Sequence, residues 1–537
     1  MGVKKKFFFG FLCVWILFFS IIATTYKKNT FINLPTYNIN NHIDFFFKKI
    51  ILPNQFNLSK IFVTTDVLKA IINLNDGQIE KLDLLKYKNK LNSPDPFFFL
   101  KKQNNAIYVA NSFIKKTDIK NKNLDHKHIN FISQKENFIL NKNNSILSIP
   151  IVSYSNKDFI YTKTFIFKKG EYLIEIKHNI KNIVNKQYKF NIFNELQKNF
   201  KKKDESFFLK KIVLKPFKGI AYSNEIDKYK KINFEKITFK DNTNILTKSG
   251  WISILQKYFL SAWIPNSDGI KEMYIKKDDN NLISIGYISK DILVNSKSQN
   301  TVSSFLWIGP KIQDKLSLLA NNLDLTIESS FFSFISKPLF NFLNFLYKFT
   351  GNWGLAIISI TVIIRLMLYP FTKSQYVSML KMRALQPDID LIKKKFSTNK
   401  LKMSEELLLL YKKKKIHPLS GFLPLLIQMP IFLSLYYMLN STIELRHAPF
   451  FWWIQDLSES DPLYLLPIFM GISMWLVQKN SSNNISDPLQ KKIINILPVF
   501  FTFFFLWLPS GLVLYYIISN IITIVQHSWI KFILLKK

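Results

Sequence analysis

The sequence predicts a membrane α-helical bundle of six transmembrane helices, five of them forming one core, plus a large exported all-β sandwich domain. Three observations predict it. Apolar stretches of membrane-spanning character occur once at the extreme N-terminus and five times after position 350. Between them lies a long polar region whose short apolar runs alternate with period two and are punctuated by turn residues, the pattern of strands. The loops between the later apolar stretches alternate in charge, which fixes a consistent orientation.

Residues 1–26 pair a basic start, Lys4-Lys5-Lys6, with an apolar run from Phe7 to Ala23. This is an N-terminal transmembrane anchor; cleavage as a signal sequence remains open, since both share the same flanking charges. Residues 27–330 form the β domain. Leu68, Ala70, Ile72 and Leu74 alternate before the turn Asn75-Asp76-Gly77, and Tyr161, Phe165 and Phe167 precede Lys168-Lys169-Gly170, with Tyr172, Ile174 and Ile176 beyond it. A sandwich fits the length better than a barrel closed around a ligand. The lone cysteine, Cys13, excludes intramolecular disulfides and cysteine zinc sites. Asp125-His126-Lys127-His128 reads as a solvated loop, because a lysine separates the histidines and no further ligand is near.

Residues 331–350 place Phe334, Ile335, Leu339, Phe342, Leu343 and Leu346 at helical spacing, an amphipathic helix lying in the membrane interface or packed on the soluble domain. Transmembrane helix 2 follows at 351–371, a length that reaches about 30 Å as a helix. Residues 372–418 carry twelve basic and four acidic residues and predict a cytosolic helical hairpin, with arms Tyr376 to Phe396 and Leu401 to Ile416 and lysine clusters 393–395 and 412–415 near its base. Residues 419–530 hold transmembrane helices 3–6, over 419–440, 462–478, 493–508 and 511–530. The loop 441–461 has one basic and four acidic residues, and 479–492 has three basic and one acidic, so both termini are cytosolic and the β domain is exported. A short basic tail, 531–537, ends the chain. The spans 462–478 and 493–508 are short for a bilayer and predict local thinning.

Composition adds a sharper clue. Of 74 basic residues only Arg365, Arg383 and Arg446 are arginines, all between positions 365 and 446. Lysine, asparagine, isoleucine and phenylalanine are heavily used, so the net charge of +38 is partly compositional bias and no nucleic-acid signature. An arginine is kept where a planar, permanent cation is hard to replace. Arg365 lies inside a span, roughly 9 Å from its cytosolic end, where an unpaired guanidinium costs at least about 3 kcal/mol facing lipid. No aspartate or glutamate lies in any span. Thr361 is one turn back; Gln428 and Ser434 lie on the third span; Tyr516, Ser519, Asn520, Thr523 and Gln526 form a stripe on the last. A polar face without a counter-ion suggests a wet groove whose charge is open to an anionic guest, against the plainer reading that these side chains bind helices together. No G-x-S-x-G, H-E-x-x-H or phosphate-binding loop occurs, and nothing calls for a cofactor, metal or nucleotide.

Many of these residues also carry a family likeness. From Ser249 onward the chain resembles the YidC/Oxa/Alb family of membrane protein insertases, in its bacterial, Gram-negative form. The tokens are Gly250-Trp251, Tyr258-Phe259, Ala262-Trp263-Ile264-Pro265, Leu306-Trp307-Ile308-Gly309-Pro310, Gly351-Asn352-Trp353-Gly354, Arg365 with Tyr369-Pro370, Met382-Arg383 with Leu385-Gln386-Pro387, Pro424 to Pro430, and Phe505 to Leu512. The resemblance implies a non-enzymatic insertase and chaperone of the cell inner membrane that accepts nascent membrane proteins, alone or beside the Sec translocon and its accessory subunits. It implies that Arg365 receives a substrate's acidic extracytosolic tail, that Thr361 and Tyr516 lie near the substrate path, and that Met382 and Arg383 belong to the hairpin that first meets substrates. Anionic lipids and, more weakly, the ribosome are the further partners expected; DNA is not. One departure is His417-Pro418-Leu419-Ser420-Gly421, where relatives read Asn-Pro-Leu-Gly-Gly. Two rivals stand beside this reading: an anion transporter built on Arg365, and a membrane-anchored assembly factor acting through its β domain.

Overall fold

The computed structural model describes residues 58–103, 106–117, 129–154, 158–200, 217–237, 243–266, 269–327, 333–397, 399–414, 423–482 and 488–535. The N-terminal anchor and the Asp125 to His128 motif lie outside them. The chain divides into a β unit and a helical unit.

Two sheets make the β unit. A ten-stranded sheet runs in the spatial order Thr243–Thr247, Lys271–Lys277, Leu282–Val294, Tyr188–Asn199, Ala106–Thr117, Pro96–Gln103, Ile79–Lys88, Leu68–Asn73, Lys60–Thr64 and Asn137–Ile139. An eight-stranded sheet runs Lys230–Asn233, Gly219–Ser223, Trp251–Leu255, Phe259–Pro265, Gln299–Pro310, Leu173–Asn182, Phe159–Lys168 and Ile146–Ser153. Among the described residues every strand pairing is antiparallel except that of Asn137–Ile139 with Lys60–Thr64. The alternation read in the sequence is the alternation of burial. Leu173–Asn182 has every second side chain buried, as a strand with one face on a core must. Both expected turns are present, with Gly77 and Gly170 at φ +65° and +74°, a region glycine enters without a Cβ clash.

The sheets pack face to face, the sandwich expected. Trp251, Trp263 and Trp307 are fully buried in it, and Phe97 of one sheet stacks on Phe259 of the other at 4.3 Å. A polar seam also crosses the core. Ser112 Oγ meets His178 Nε2 at 2.7 Å, Asn194 Nδ2 donates to Ser304 Oγ at 3.1 Å, and the ammonium of buried Lys163 donates to the carbonyls of Gly77 and Ser112 at 2.6 and 2.7 Å. Burial and the nearby Lys163 charge push His178 well below the usual histidine range, and burial lowers Lys163 to about 7.

After the short helix α1 (Gln313–Leu319) of the β unit, the helical unit contains α2 (Ser333–Thr350), α3 (Trp353–Met367), α4 (Tyr369–Ala384), α5 (Gln386–Lys395), α6 (Lys400–Lys413), α7 (Leu423–Ser441), α8 (Leu465–Ser482), α9 (Pro488–Phe505) and α10 (Ser510–Leu535). The amphipathic helix packs on α3 and α7, burying Ile335, Leu339 and Leu343 and leaving Phe334, Phe345 and Phe349 exposed. Asn352 caps α3, its Oδ1 accepting from Gly354 N at 2.8 Å and Leu355 N at 3.2 Å.

Three expectations for the region after Arg365 are corrected. The helix read over 351–371 stops at Met367, and the chain turns by 58° into α4. Pro370 is the reason: without an N–H, it suits a helix's first turn but cannot continue the preceding one. The first hairpin arm, read as unbroken from Tyr376 to Phe396, divides at Leu385, where Pro387 starts α5. The hairpin proper is α5 against α6, with Leu385 and Ile389 packed on Leu407, Leu410 and Tyr411. Antiparallel pairing therefore puts Lys393 to Lys395 beside the turn, at the tip and not at the base, while Lys412 and Lys413 end the other arm.

Large apolar side chains face outward in rows: Ile468, Phe469, Ile472, Trp475 and Leu476 on α8; Ile496, Val499, Phe500 and Phe503 on α9; Ile521, Val525, Trp529 and Phe532 on α10. Helices that expose their apolar stripe are built for lipid. Among the described residues α10 alone is long and apolar enough to cross a membrane unaided, the bent pair of α3 and the start of α4 qualifies jointly, and α8 and α9 are apolar over Leu465–Lys479 and Asn495–Phe505.

Candidate functional site

Arg365 occupies the last turn of α3. There the helix macrodipole is negative, which favours a cation without neutralising it. Side chains on a helix lean toward its N-terminus, so the guanidinium reaches back along the bundle. It meets α10 and α7. Nε donates to Ser519 Oγ at 2.7 Å, Nη2 donates to the same oxygen, and Nη2 reaches Gln428 Oε1 at 3.3 Å. Ser519 is fully buried and Arg365 partly exposed. Both partners are neutral acceptors; among the described residues Arg365 makes no ion pair. Its full charge is therefore held in place and kept.

The stripe on α10 divides by direction. Ser519 turns to Arg365. Asn520, one residue on, donates from Nδ2 to Ser473 Oγ of α8 at 2.9 Å, so it joins helices. Thr523 bonds the carbonyl of Ser519 at 2.8 Å and remains partly exposed. Thr361 is completely buried and bonds the carbonyl of Ile357 at 2.6 Å, and Ser434 likewise bonds that of Pro430 at 2.6 Å. Such back-bonds satisfy a hydroxyl within its own helix and leave it little for a guest. Tyr516 forms an aromatic wall with Phe505 and Phe432, at centroid distances of 5.2 and 5.9 Å. Met382 and Arg383 lie near the end of α4, beyond the bend.

Sequence reasoning missed the packing of the loop ahead of α8. The 441–464 loop folds against the starts of α8 and α10. Asp461, buried, accepts from Leu463 N, Leu466 N and Trp453 Nε1 at 3.1, 2.7 and 3.0 Å, capping α8. Ser510 N and Gly511 N donate to the carbonyls of Glu459 and Leu457 at 2.8 and 2.9 Å. Gly354 lies so close to Phe450 that a Cβ there would sit 2.0 Å from the ring. The Asp461 cap had a signal, an acidic residue just ahead of an apolar helix; the approach of Phe450 to Gly354 had none.

Comparison with known proteins shows the family. Residues 345–537 match the model of the 60Kd inner membrane protein family, and residues 60–342 match that of the YidC periplasmic domain. The chain belongs to the YidC family. The membrane protein insertase YidC of Buchnera aphidicola subsp. Baizongia pistaciae (strain Bp) is 46% identical over 472 residues, covering 88% of each chain. That of Buchnera aphidicola subsp. Acyrthosiphon pisum (strain APS) is 45% identical over 533 residues, 99% of this chain and 98% of its own. Among solved structures, an active YidC insertase with its first transmembrane domain resolved is 19% identical, covers 88% of this chain and 92% of its own, and gives a TM-score of 0.37. As a YidC family member the chain is an inner-membrane protein with a periplasmic domain, which here is the β sandwich.

Proposed function

We propose that this membrane protein insertase works through a hydrophilic groove centred on Arg365, in a bundle of six spans with both termini cytosolic. The carrying observation is the guanidinium itself: partly exposed, fixed by Ser519 and Gln428, and paired with no carboxylate among the described residues. A cation so held is preorganised for a transient anion and needs no reorganisation to receive it. Met382 and Arg383 on α4 meet the nascent membrane protein first. Its polar, acidic leading end enters from the cytosol, pauses against Arg365 beside Tyr516 and Thr523, and crosses toward the 441–464 loop; Thr361, completely buried, supports α3 behind this path. The adjoining apolar segment passes into lipid along the exposed faces of α8, α9 and α10.

Two physical features support this route without fuel. Burial of the apolar segment is worth about 0.3–0.6 kcal/mol per strongly apolar residue at the bilayer centre. The short apolar stretches of α8 and α9 thin the adjacent bilayer, which shortens the polar crossing. The basic residues of 372–418 and 479–492 meet anionic lipid and the ribosome in this reading, and the β domain meets Sec partners. Reconstituted into liposomes with a single-span substrate bearing an acidic tail, Arg365→Lys should insert more slowly than the natural chain, and Arg365→Ala more slowly still. Equal insertion by all three would remove Arg365 from the mechanism.

A further inference from the structure

α10 grips both sides of the bend that follows Arg365. Gln526, buried, donates from Nε2 to the main-chain oxygen of Arg365 at 3.0 Å. That carbonyl is in the last turn of α3, where intrahelical donors run out, and it points toward the cytosolic end of the helix. Ser519 lies seven residues earlier on α10, two turns away on the same face, and holds the guanidinium. The same helix thus fixes one arginine at two points, side chain and backbone. Next in sequence, His527, also buried, stacks its ring on Tyr376 of α4, centroids 4.3 Å apart at 23°. Consecutive helical positions point about 100° apart, which lets neighbours reach two different helices. One seizes α3 before the bend, the other α4 after it.

We propose that Gln526 and His527 are positioning residues: a clamp that sets the 58° angle between α3 and α4 and so couples the Arg365 site to the arm carrying Met382 and Arg383. The inference rests on the groove reading above. Without the clamp the bend keeps Pro370, which breaks a helix without fixing the angle of the break, the bond of Thr372 Oγ1 to the Leu368 carbonyl at 3.2 Å and the packing of α7 on α4, but it loses the hold of α10 on both sides. Arg365 would then keep its place in the sequence and lose its orientation toward the incoming chain.

The test uses the full chain in liposomes, with Cys13→Ser, and spin labels at Leu355→Cys on α3 and Lys381→Cys on α4. Distances are read by electron–electron double resonance. Gln526→Leu and His527→Leu should broaden the distance distribution and slow insertion of the acidic-tailed substrate roughly three- to thirtyfold. His527→Phe, which keeps a ring on Tyr376, should retain both the narrow distribution and the rate. An unchanged distribution in the leucine variants overturns the clamp, and so does a broadened one with the natural rate, or equal damage from phenylalanine and leucine. Arg365→Ala separates the two readings: it should lose insertion while keeping the distance, and natural-rate insertion by this variant would sink the groove while the distances still judge the clamp.

Discussion

Arg365 keeps its charge because each of its partners can accept a hydrogen bond and none can cancel it. Hydrogen bonds to a charged group contribute about 1.5–3 kcal/mol, so Ser519→Ala should loosen the guanidinium and slow insertion of acidic-tailed substrates roughly tenfold, with neutral tails little affected. Asn520→Ala is the contrast: its partner is Ser473, so the expected result is about 1 kcal/mol of lost bundle stability and no change in tail preference. Parallel insertion assays on the two variants with both tails decide it. That difference is invisible in sequence, where the two residues belong to one polar stripe; a direction around a helix becomes a partner only when the neighbours are placed. Lys163 makes a separate case in the sandwich. Burial lowers its pKa from 10.5 to about 7, with Asp76 opposing. Between those values the unfolded chain holds a proton that the folded chain has released, so stability rises with pH across that window and is lowest below it. The full chain's urea midpoint, read by proteolysis of the sandwich, should climb from pH 7 to pH 10 by the equivalent of a few kcal/mol, and Lys163→Met should flatten the climb.

Helices and strands were legible to the degree that one local rule governed them. Strand alternation, the two glycine turns and the apolar stripes of α8 and α10 depend on a repeating pattern within a segment, and the sequence displays it. The break at Met367 depends on Pro370 alone, set inside an apolar run whose composition argues for continuity, so length prevailed over the proline in the reading. The lysines at the hairpin tip have another reason: Lys393 to Lys395 end the first arm just before the second begins at Lys400, so antiparallel pairing alone puts them beside the turn, whether or not the arm divides at Leu385. Close packing is still less visible. Gly354 is required by Phe450, nearly a hundred residues distant in sequence. Gly354→Ala should cost about 1–3 kcal/mol through overpacking, seen as a lowered melting temperature in detergent. Adding Phe450→Ala should restore part of it, because the two sites share one space and their effects cannot add.

At the scale of the whole molecule, a bundle that passes polar chain must be open on one side and sealed on the other. The 441–464 loop has the bonds of a seal: Asp461 caps α8, Leu457 and Glu459 hold the start of α10, and Phe450 fills the space above Gly354. Toward the other end, Thr523 lies one turn beyond Ser519 and stays partly exposed, the position expected where the groove opens to the cytosol. Charge gives the same polarity, with acidic residues concentrated at 441–461 and basic ones at 372–418. In a Cys13→Ser background, a membrane-impermeant thiol reagent should therefore reach Trp452→Cys only from the periplasm, and Lys393→Cys and Thr523→Cys only from the cytosol. Thr523 is the decisive position, because lipid would hide it from an aqueous reagent on either side. Labelling of Thr523→Cys from the periplasm would mean a through-channel, which a sealed inner membrane could not tolerate, and no labelling from either side would mean a dry bundle in which Arg365 serves structure alone.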